Sequence, residues 1–366
     1  YLAGWQEGNN PIGYAIRGAY LWQHGERYTY DSGEAPPLCW VPQVLQEGEA
    51  EGEDENEGEG EISPWFTFQE GSGANLPWTI YPDDHYGWDV GAHPWGGAHG
   101  GFSSNTDTLA SDLEQYRSNC MGVARVFIFC DFRTGLMTAP PSGSFAFDPY
   151  VYDDMDTLVA SMPQQVKLIP VLLDFTLVDG VSMENTSPVG EHPDYITTYK
   201  AGFIQLLADF VSRYSNSPAI FAWEIMNEPE EAIKLAYESG GQNAGDTLRD
   251  ALHLFFTELV AALHSVTEQP ITLGSKHRGV VGDWKNLGLD MYQFHYYDTM
   301  AETFPLEYPA ASLGLDKPVF VGELQPTNIF SKLAVLEANG YAGALFWSFN
   351  KDYDDELKSE LPTYRS

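Results

Sequence analysis

The chain has 366 residues, 53 of them acidic and 18 basic, for a formal net charge of −35. That field works against phosphate-rich nucleic acid and anionic lipid, so neither a nucleic-acid nor a membrane partner is expected, and neutral ligands are the easier fit. No stretch reaches the roughly 18 consecutive apolar residues of a membrane span, while a hydrophobic fraction of 43% and an aromatic fraction of 14% are ample for one large core.

The chain begins at Tyr1 rather than Met, which fits removal of a leader and favours export, to the periplasm or the medium. The first apolar segment, YAIRGAYLWQ at residues 14–23, reads as a strand. It is followed by about 80 residues without helical period, 24–103, too long for a plain loop and therefore expected as a lid or insertion. Within it, EGEAEGEDENEGEGE at 47–61 holds nine acids and four glycines. Such a run cannot bury enough surface to offset its ordering entropy and reads as a flexible solvated loop; its spacing does not reproduce a calcium-binding loop. Without those nine acids the rest still carries 44 against 18, a net of −26. Trp40, Trp65, Trp78, Trp88 and Trp95 also lie in this segment. They read either as stacking surfaces for sugar rings or as the core of an irregular insertion. His93 and His99, in HPWGGAHGG, have no third ligand in view and mark a glycine-rich turn rather than a metal pair.

From residue 104 onward the pattern alternates. SSNTDTLASDLEQYRSN is helical and GVARVFIFCDF a buried strand; DPYVYDDMDTLVASMPQQ is helical and VKLIPVLLDF a strand. YITTYKAGFIQLLADFVSRYSN is a strongly amphipathic helix before the strand AIFAWEIMNEP. DTLRDALHLFFTELVAALHSVTEQ then precedes PITLGSKH, and the strands MYQFHYYD, KPVFVGELQP and AGALFWSFN follow, the last two separated by the helix NIFSKLAVLEANG. With residues 14–23 in front this makes eight βα units with near-continuous apolar strands. The expected fold is therefore a single (β/α)8 barrel over 1–366 with a long insertion after the first strand. A doubly wound sheet lacks its fingerprint, since no GxGxxG follows a strand. Cys39, Cys120 and Cys130 show no CxxC or His-rich spacing, so no disulfide framework or structural zinc site is indicated, and a single disulfide stays open.

Active sites of such barrels lie at the C-terminal ends of the strands. Polar residues read at those ends are Arg125, Asp174, Asn227, Glu228, His277, His295, Tyr296, Tyr297, Glu323 and Trp347. Glu228 and Glu323 each sit in an otherwise apolar strand, a costly position unless the carboxylate is hydrogen-bonded or functional. Paired carboxylates in a cleft are what glycosidic cleavage requires, one to protonate the leaving oxygen and one to attack or to activate water. Glu224 shares strand parity with Glu228 but lies about 13 Å deeper by the usual rise per residue, and is expected as a buried partner for an arginine. Glu230 and Glu231, after Pro229, are expected to face solvent or a distant subsite.

The segment WEIMNEPE resembles the Asn-Glu-Pro motif of clan A glycoside hydrolases, and VFVGELQ resembles their nucleophile strand. With the His-x-Tyr of HYY and the Trp of FWSF in the right order, the likeness is nearest to glycoside hydrolase family 5, the cellulase family. It covers most of residues 14–350 apart from the insertion. The resemblance implies Glu228 as acid/base and Glu323 as nucleophile of a retaining mechanism, the guanidinium of Arg125 favouring the charged form of Glu323. It further implies Asn227, His295, Tyr297 and Trp347 around the −1 sugar. LLDFT departs from the family's Asp-x-His at strand three, and Asp174 reads as a hydrogen-bonded strand end more than a substrate contact. Arg125, His295 and Trp347 each keep a structural alternative as ion pair, satisfied strand histidine and core aromatic. The implied activity is hydrolysis of β-linked oligo- or polysaccharide, endo-acting on β-glucan or β-mannan, by a monomer needing neither cofactor nor metal. An exo-acting β-glycosidase and a non-catalytic carbohydrate-binding barrel are the alternatives.

Overall fold

The computed structural model describes residues 28–30, 40–42, 71–76, 101–119, 121–130, 132, 135–178, 192–349 and 357. The chain divides into two compact units, residues 1–60 and 61–366. The boundary falls at the end of the acidic run 47–61. In the first unit, β1 (Tyr28–Tyr30) pairs antiparallel with β2 (Trp40–Pro42).

The second unit is a closed parallel barrel of eight strands: β3 (Gly73–Asn75), β4 (Val123–Phe127), β7 (Lys167–Val171), β8 (Trp223–Asn227), β9 (Ile271–Ser275), β10 (Tyr292–Tyr296), β11 (Val319–Leu324) and β12 (Ala344–Phe346). A small antiparallel pair, β5 (Leu136–Thr138) and β6 (Ala146–Phe147), stands outside it. The (β/α)8 class is as expected, and seven of its strands are those read from the sequence. The first is not. β3 closes the ring between β12 and β4, so the barrel opens inside the segment expected as an insertion, and residues 14–23 lie outside the described residues. The physical reason is that Gly-Ala-Asn carries no β-branched or aromatic signal. Its smallness is required by close approach, because a Cβ on Gly73 would stand 1.9 Å from the carbonyl oxygen of Val123. The tryptophans beyond β2, His93 and His99, and the acidic run also lie outside the described residues.

The helices α1 (Thr106–Ser118), α2 (Pro149–Ser161), α3 (Lys200–Tyr214), α4 (Pro229–His264) and α5 (Ile329–Ala338) form on the periodic segments. In α3 the buried positions Phe203, Leu207, Phe210, Val211 and Tyr214 recur at three and four residues, which places one face against the sheet. α4 begins 17 residues earlier than the pattern at 246 suggested and breaks at Gly241, whose φ of 74° interrupts the helix. Crossovers after β9 and β10 are short 3-10 turns, Val281–Trp284, Asp298–Met300 and Ala310–Leu313. No helix among the described residues is long and apolar enough to cross a membrane.

Val123, Ile169, Ala222, Met291, Phe320, Ala342 and Leu345 form a separate buried cluster. Val123 and Ala222 stand two residues before Arg125 and Glu224, hence on the same strand face, so this cluster is the apolar layer on which the polar layer rests. Cys130 is buried just beyond β4, and Cys39 and Cys120 lie outside the described residues. Because the Cβ of any other residue at 73 would overlap backbone, Gly73→Ala is expected to lower stability by about 3 kcal/mol. Gly282→Ala, with nothing within 4 Å of the added carbon, should be near neutral; thermal melts of the two variants compare them directly.

Candidate active site

The barrel interior is organised by one side chain. Arg125, fully buried, presents five N–H groups, and five acceptors meet them. Nε and Nη2 donate to the two oxygens of Glu224 at 2.6 Å each. Nη2 also donates to Asn227 Oδ1 at 2.7 Å, and Nη1 donates to Asn75 Oδ1 at 2.8 Å and to Glu323 Oε1 at 2.9 Å. The acceptors come from β3, β8 and β11, so a single guanidinium ties together strands far apart in the chain. The expectation that Glu224 pairs with an arginine is met. Room for the pair is made at Gly274 of β9, where a Cβ would stand 2.4 Å from Glu224 Oε1.

Glu323 is anchored at both oxygens, Oε1 by Arg125 and Oε2 by the hydroxyl of Tyr297 at 2.5 Å. Burial and the neighbouring Glu323 push the Tyr297 hydroxyl far up, so it stays a donor. Glu228 stands in a different environment. Its side chain keeps 18% of its exposure, its Oε1 meets His295 Nδ1 at 2.6 Å, and burial pushes its carboxyl up to about 7 against the opposing charges of Lys276 and Arg125. Burial is the leading cause of that rise. Burial likewise holds His295 down at about 4, so its imidazole is neutral. Its Nδ1 also lies 3.6 Å from Glu323 Oε2. An oxygen of each glutamate and a ring nitrogen of His295 all fall within 4.8 Å of one another, donor types and spacing that a divalent cation would also accept.

Glu228 has φ 44° and ψ 49°, the left-handed region, at the N-cap of α4, and its N–H donates to Gly274 O at 2.7 Å. A non-glycine residue there carries roughly 1–2 kcal/mol of strain, and such outliers cluster at functional positions. The turn swings the carboxylate over the barrel mouth while Pro229 starts the helix.

Asn227 spends its Oδ1 on Arg125 and donates from Nδ2 to Asp174 Oδ2 at 2.8 Å, which fixes its amide orientation. Asp174 accepts from Thr176 N at 3.1 Å and Thr176 Oγ1 at 2.8 Å through its other oxygen. Burial, opposed by Asn227 and Thr176, leaves its carboxyl up at about 7. Both oxygens being engaged, Asp174 has the geometry of a hydrogen-bonded strand end. Trp347, half-buried after β12, stands edge-on to Phe127 with ring centroids 6.2 Å apart. His277 stacks on Phe304 at 4.7 Å and accepts from Gly279 N, away from the glutamates. Tyr296 packs into the outer core.

Glu230 departs from expectation. Its Oε1 accepts from Trp284 Nε1 at 2.5 Å and its Oε2 from the Lys276 backbone N–H at 3.0 Å. Glu231 is ion-paired to Lys276 and to Lys234. The first turn of α4 thus folds back onto the end of β9 rather than facing solvent. Asn75, Lys276 and Thr176 were not anticipated: Asn75 sits in a strand without a strand signal, and Lys276 stands beside His277, the residue that drew the eye at that strand end.

No family model matches the sequence. A mannan endo-1,4-beta-mannosidase of Cryptopygus antarcticus is 22% identical over 333 residues, 77% of this chain and 81% of that protein. The mannan endo-1,4-beta-mannosidase of Mytilus edulis is 23% identical over 327 residues, covering 76% and 83%. Among solved structures, the beta-mannanase from blue mussel Mytilus edulis has a TM-score of 0.62 at 17% identity, over 81% of this chain and 92% of that one. The exo-beta-1,4-mannosidase from Opitutaceae bacterium strain TAV5 has a TM-score of 0.52 at 14% identity, over 82% and 58%. The likeness to the clan A glycoside hydrolases is borne out. In this barrel the motif residues Arg125, Asn227, Glu228, His295, Tyr297 and Glu323 converge at one mouth.

Because Arg125 is a buried charge, removing its bidentate partner leaves it half-paired, and Glu224→Ala is expected to cost about 3–5 kcal/mol. Gly274→Ala, which drives a methyl into Glu224 Oε1, should act in the same direction; chemical denaturation at constant m-value measures both.

Proposed function

We propose that the chain is a retaining glycoside hydrolase that cleaves the β-1,4 links of mannan within the polymer. The observation that carries this reading is the pair of glutamates at the barrel mouth, an oxygen of each within 4.8 Å of the other, one held by a guanidinium and a phenol and the other raised to about 7. So close an approach of their nearest oxygens supports a nucleophile and an acid, whose carboxyls stand about 5–5.5 Å apart, over an inverting pair at about 6.5–9.5 Å. The names of the two sequence relatives support mannan as the substrate and internal cleavage as the mode.

In the first step Glu323 attacks the anomeric carbon, and the bond to the leaving oxygen breaks as Glu228 transfers its proton to that oxygen. A glycosyl ester on Glu323 and a shortened chain result. In the second step Glu228, now ionised, takes a proton from a water whose oxygen attacks the anomeric carbon, releasing Glu323. Two displacements return the original configuration. Arg125 and Tyr297 hold both oxygens of Glu323 and keep it oriented between turnovers. The second Nδ2 hydrogen of Asn227 is the donor for the 2-hydroxyl, with Asp174 fixing the amide, and Trp347 is the apolar floor under the −1 sugar. A polymeric substrate that does not cross membranes supports a location outside the cytoplasm, secreted or periplasmic, and a monomer suffices because one barrel supplies the whole constellation.

Glu323→Ala and Glu228→Ala should each lower kcat on mannan by about 10³-fold or more with the melting transition retained. Azide should rescue Glu323→Ala to give an α-linked glycosyl azide; full turnover by either variant, or no azide product, would overturn the assignment. The product ladder from mannan, intermediate oligomers rather than only mannose, distinguishes internal from terminal cleavage. In wild type, kcat/KM should fall as pH rises through about 7, where Glu228 loses the proton it must donate.

A further inference from the structure

The first turn of α4 and the end of β9 are joined at three levels. Glu228 N–H donates to Gly274 O at 2.7 Å, Lys276 N–H donates to Glu230 Oε2 at 3.0 Å, and the Lys276 ammonium pairs with Glu231 Oε2. Glu230 is itself pinned from outside by the Trp284 indole. Glu228 is the first residue of this turn, and its left-handed backbone survives only if the surroundings over-determine it. The clasp does so. It also sets where the Lys276 ammonium lies: Glu231, 14% exposed, draws it along the turn, and its other oxygen holds Lys234 at 3.0 Å.

We propose that Lys276 is a positioning residue of the active site: clasped by Glu230 and Glu231, it holds the acid/base turn in place and brings a positive charge to that turn. The inference rests on the reading of Glu228 as acid/base. An exposed ion pair would contribute little, but this one is partly buried beside a buried carboxyl. After burial, Lys276 is the strongest influence on Glu228, ahead of Arg125, whose charge is already shared with Glu224 and Glu323. The other titratable groups facing Glu228 are Arg125 from β4, Asp174 beyond β7, Glu224 from β8, His295 and Tyr297 from β10 and its extension, Glu323 from β11, and Glu230 on its own turn. Arg125 and Glu224 are locked in the five-point network and His295 is neutral. Lys276 is thus the cation whose position a single neighbouring substitution can change.

The signs follow. Removing the ammonium, in Lys276→Met, withdraws a charge that favours ionised Glu228 and leaves Glu231 uncompensated, so the proton is held to higher pH. Neutralising Glu231, in Glu231→Gln, releases the ammonium toward Glu228, so the proton leaves at lower pH. The experiment titrates the intact chain, labelled with ¹³C at the glutamate carboxyls, by NMR, the Glu228 resonance being identified by its loss in Glu228→Gln. The alkaline limb of kcat/KM on a soluble β-1,4-mannan oligosaccharide is measured alongside. Expected are midpoint shifts of about half a pH unit or more, upward for Lys276→Met and downward for Glu231→Gln, with Lys276→Arg close to wild type. Equal-direction shifts, or none, in variants with unchanged melting temperature would overturn the role of Lys276. The NMR midpoint reads Glu228 whether or not mannan is cleaved, so an inactive wild type would sink the hydrolase reading while leaving this one decided by the titration.

Discussion

The structure depends on placing one guanidinium in the middle of a barrel. A bare charge there would cost several kcal/mol, and the cost is offset only because all five N–H groups of Arg125 find acceptors. That demand reaches far. It requires Asn75 on a strand too short and small to look like one, a glycine at 274 so that Glu224 can turn toward the arginine, and an asparagine at 227 presenting oxygen rather than nitrogen. A lysine could not substitute, having three donors and no planar fork.

Once this network is in place, the two glutamates at the mouth differ by environment rather than by type. Glu323 receives the last donor of Arg125 and the Tyr297 hydroxyl; Glu228 receives a neutral imidazole and little water. The same side chain is thereby held by a guanidinium and a phenol on β11, and pushed toward its protonated form by burial at the end of β8. Backbone geometry adds to the distinction. Glu323 lies within a strand whose register shifts beside it, while Glu228 sits in a left-handed cap beyond its strand, which lets two strands present carboxylates to the same few ångströms.

Much of this was legible in the sequence because buried parallel strands write long apolar runs and their ends write isolated polar letters. Seven strands and the positions of Arg125, Glu228 and Glu323 follow from that pattern. Parity placed Glu224 on the same face as Glu228, and the rise per residue set it deeper, as a partner for an arginine. What stayed hidden shares a cause: its signal is in contacts between segments. Gly73–Asn75 is selected by the approach of Val123 and the need of Arg125, neither visible locally. Glu230 and Glu231 follow a proline at a helix start, where acids are ordinary, and only the return of β9 beside them shows that they are clamped.

The charges of the site explain its protonation as a whole. Among the described residues, six carboxyls crowd the mouth and its margin, Asp174, Glu224, Glu228, Glu230, Glu231 and Glu323, against three cations, Arg125, Lys276 and, at the edge, Lys234. Arg125 pairs with Glu224 and Glu323, and Lys276 pairs with Glu231. The three carboxyls left without an ammonium or guanidinium contact, Asp174, Glu228 and Glu230, are the three that burial raises to about 7. Hydrogen bonds from Asn227, Thr176, Trp284 and the Lys276 backbone temper two of them. Glu228 has only the neutral His295, so of the three it alone has no fixed donor to stabilise its anion. In a chain of net charge −35, adding acids is easy and placing cations is the scarce resource. Withholding one from Glu228, while giving Glu323 the deepest one, sets two identical side chains in different surroundings, and the proposed roles of proton donor and nucleophile rest on that contrast.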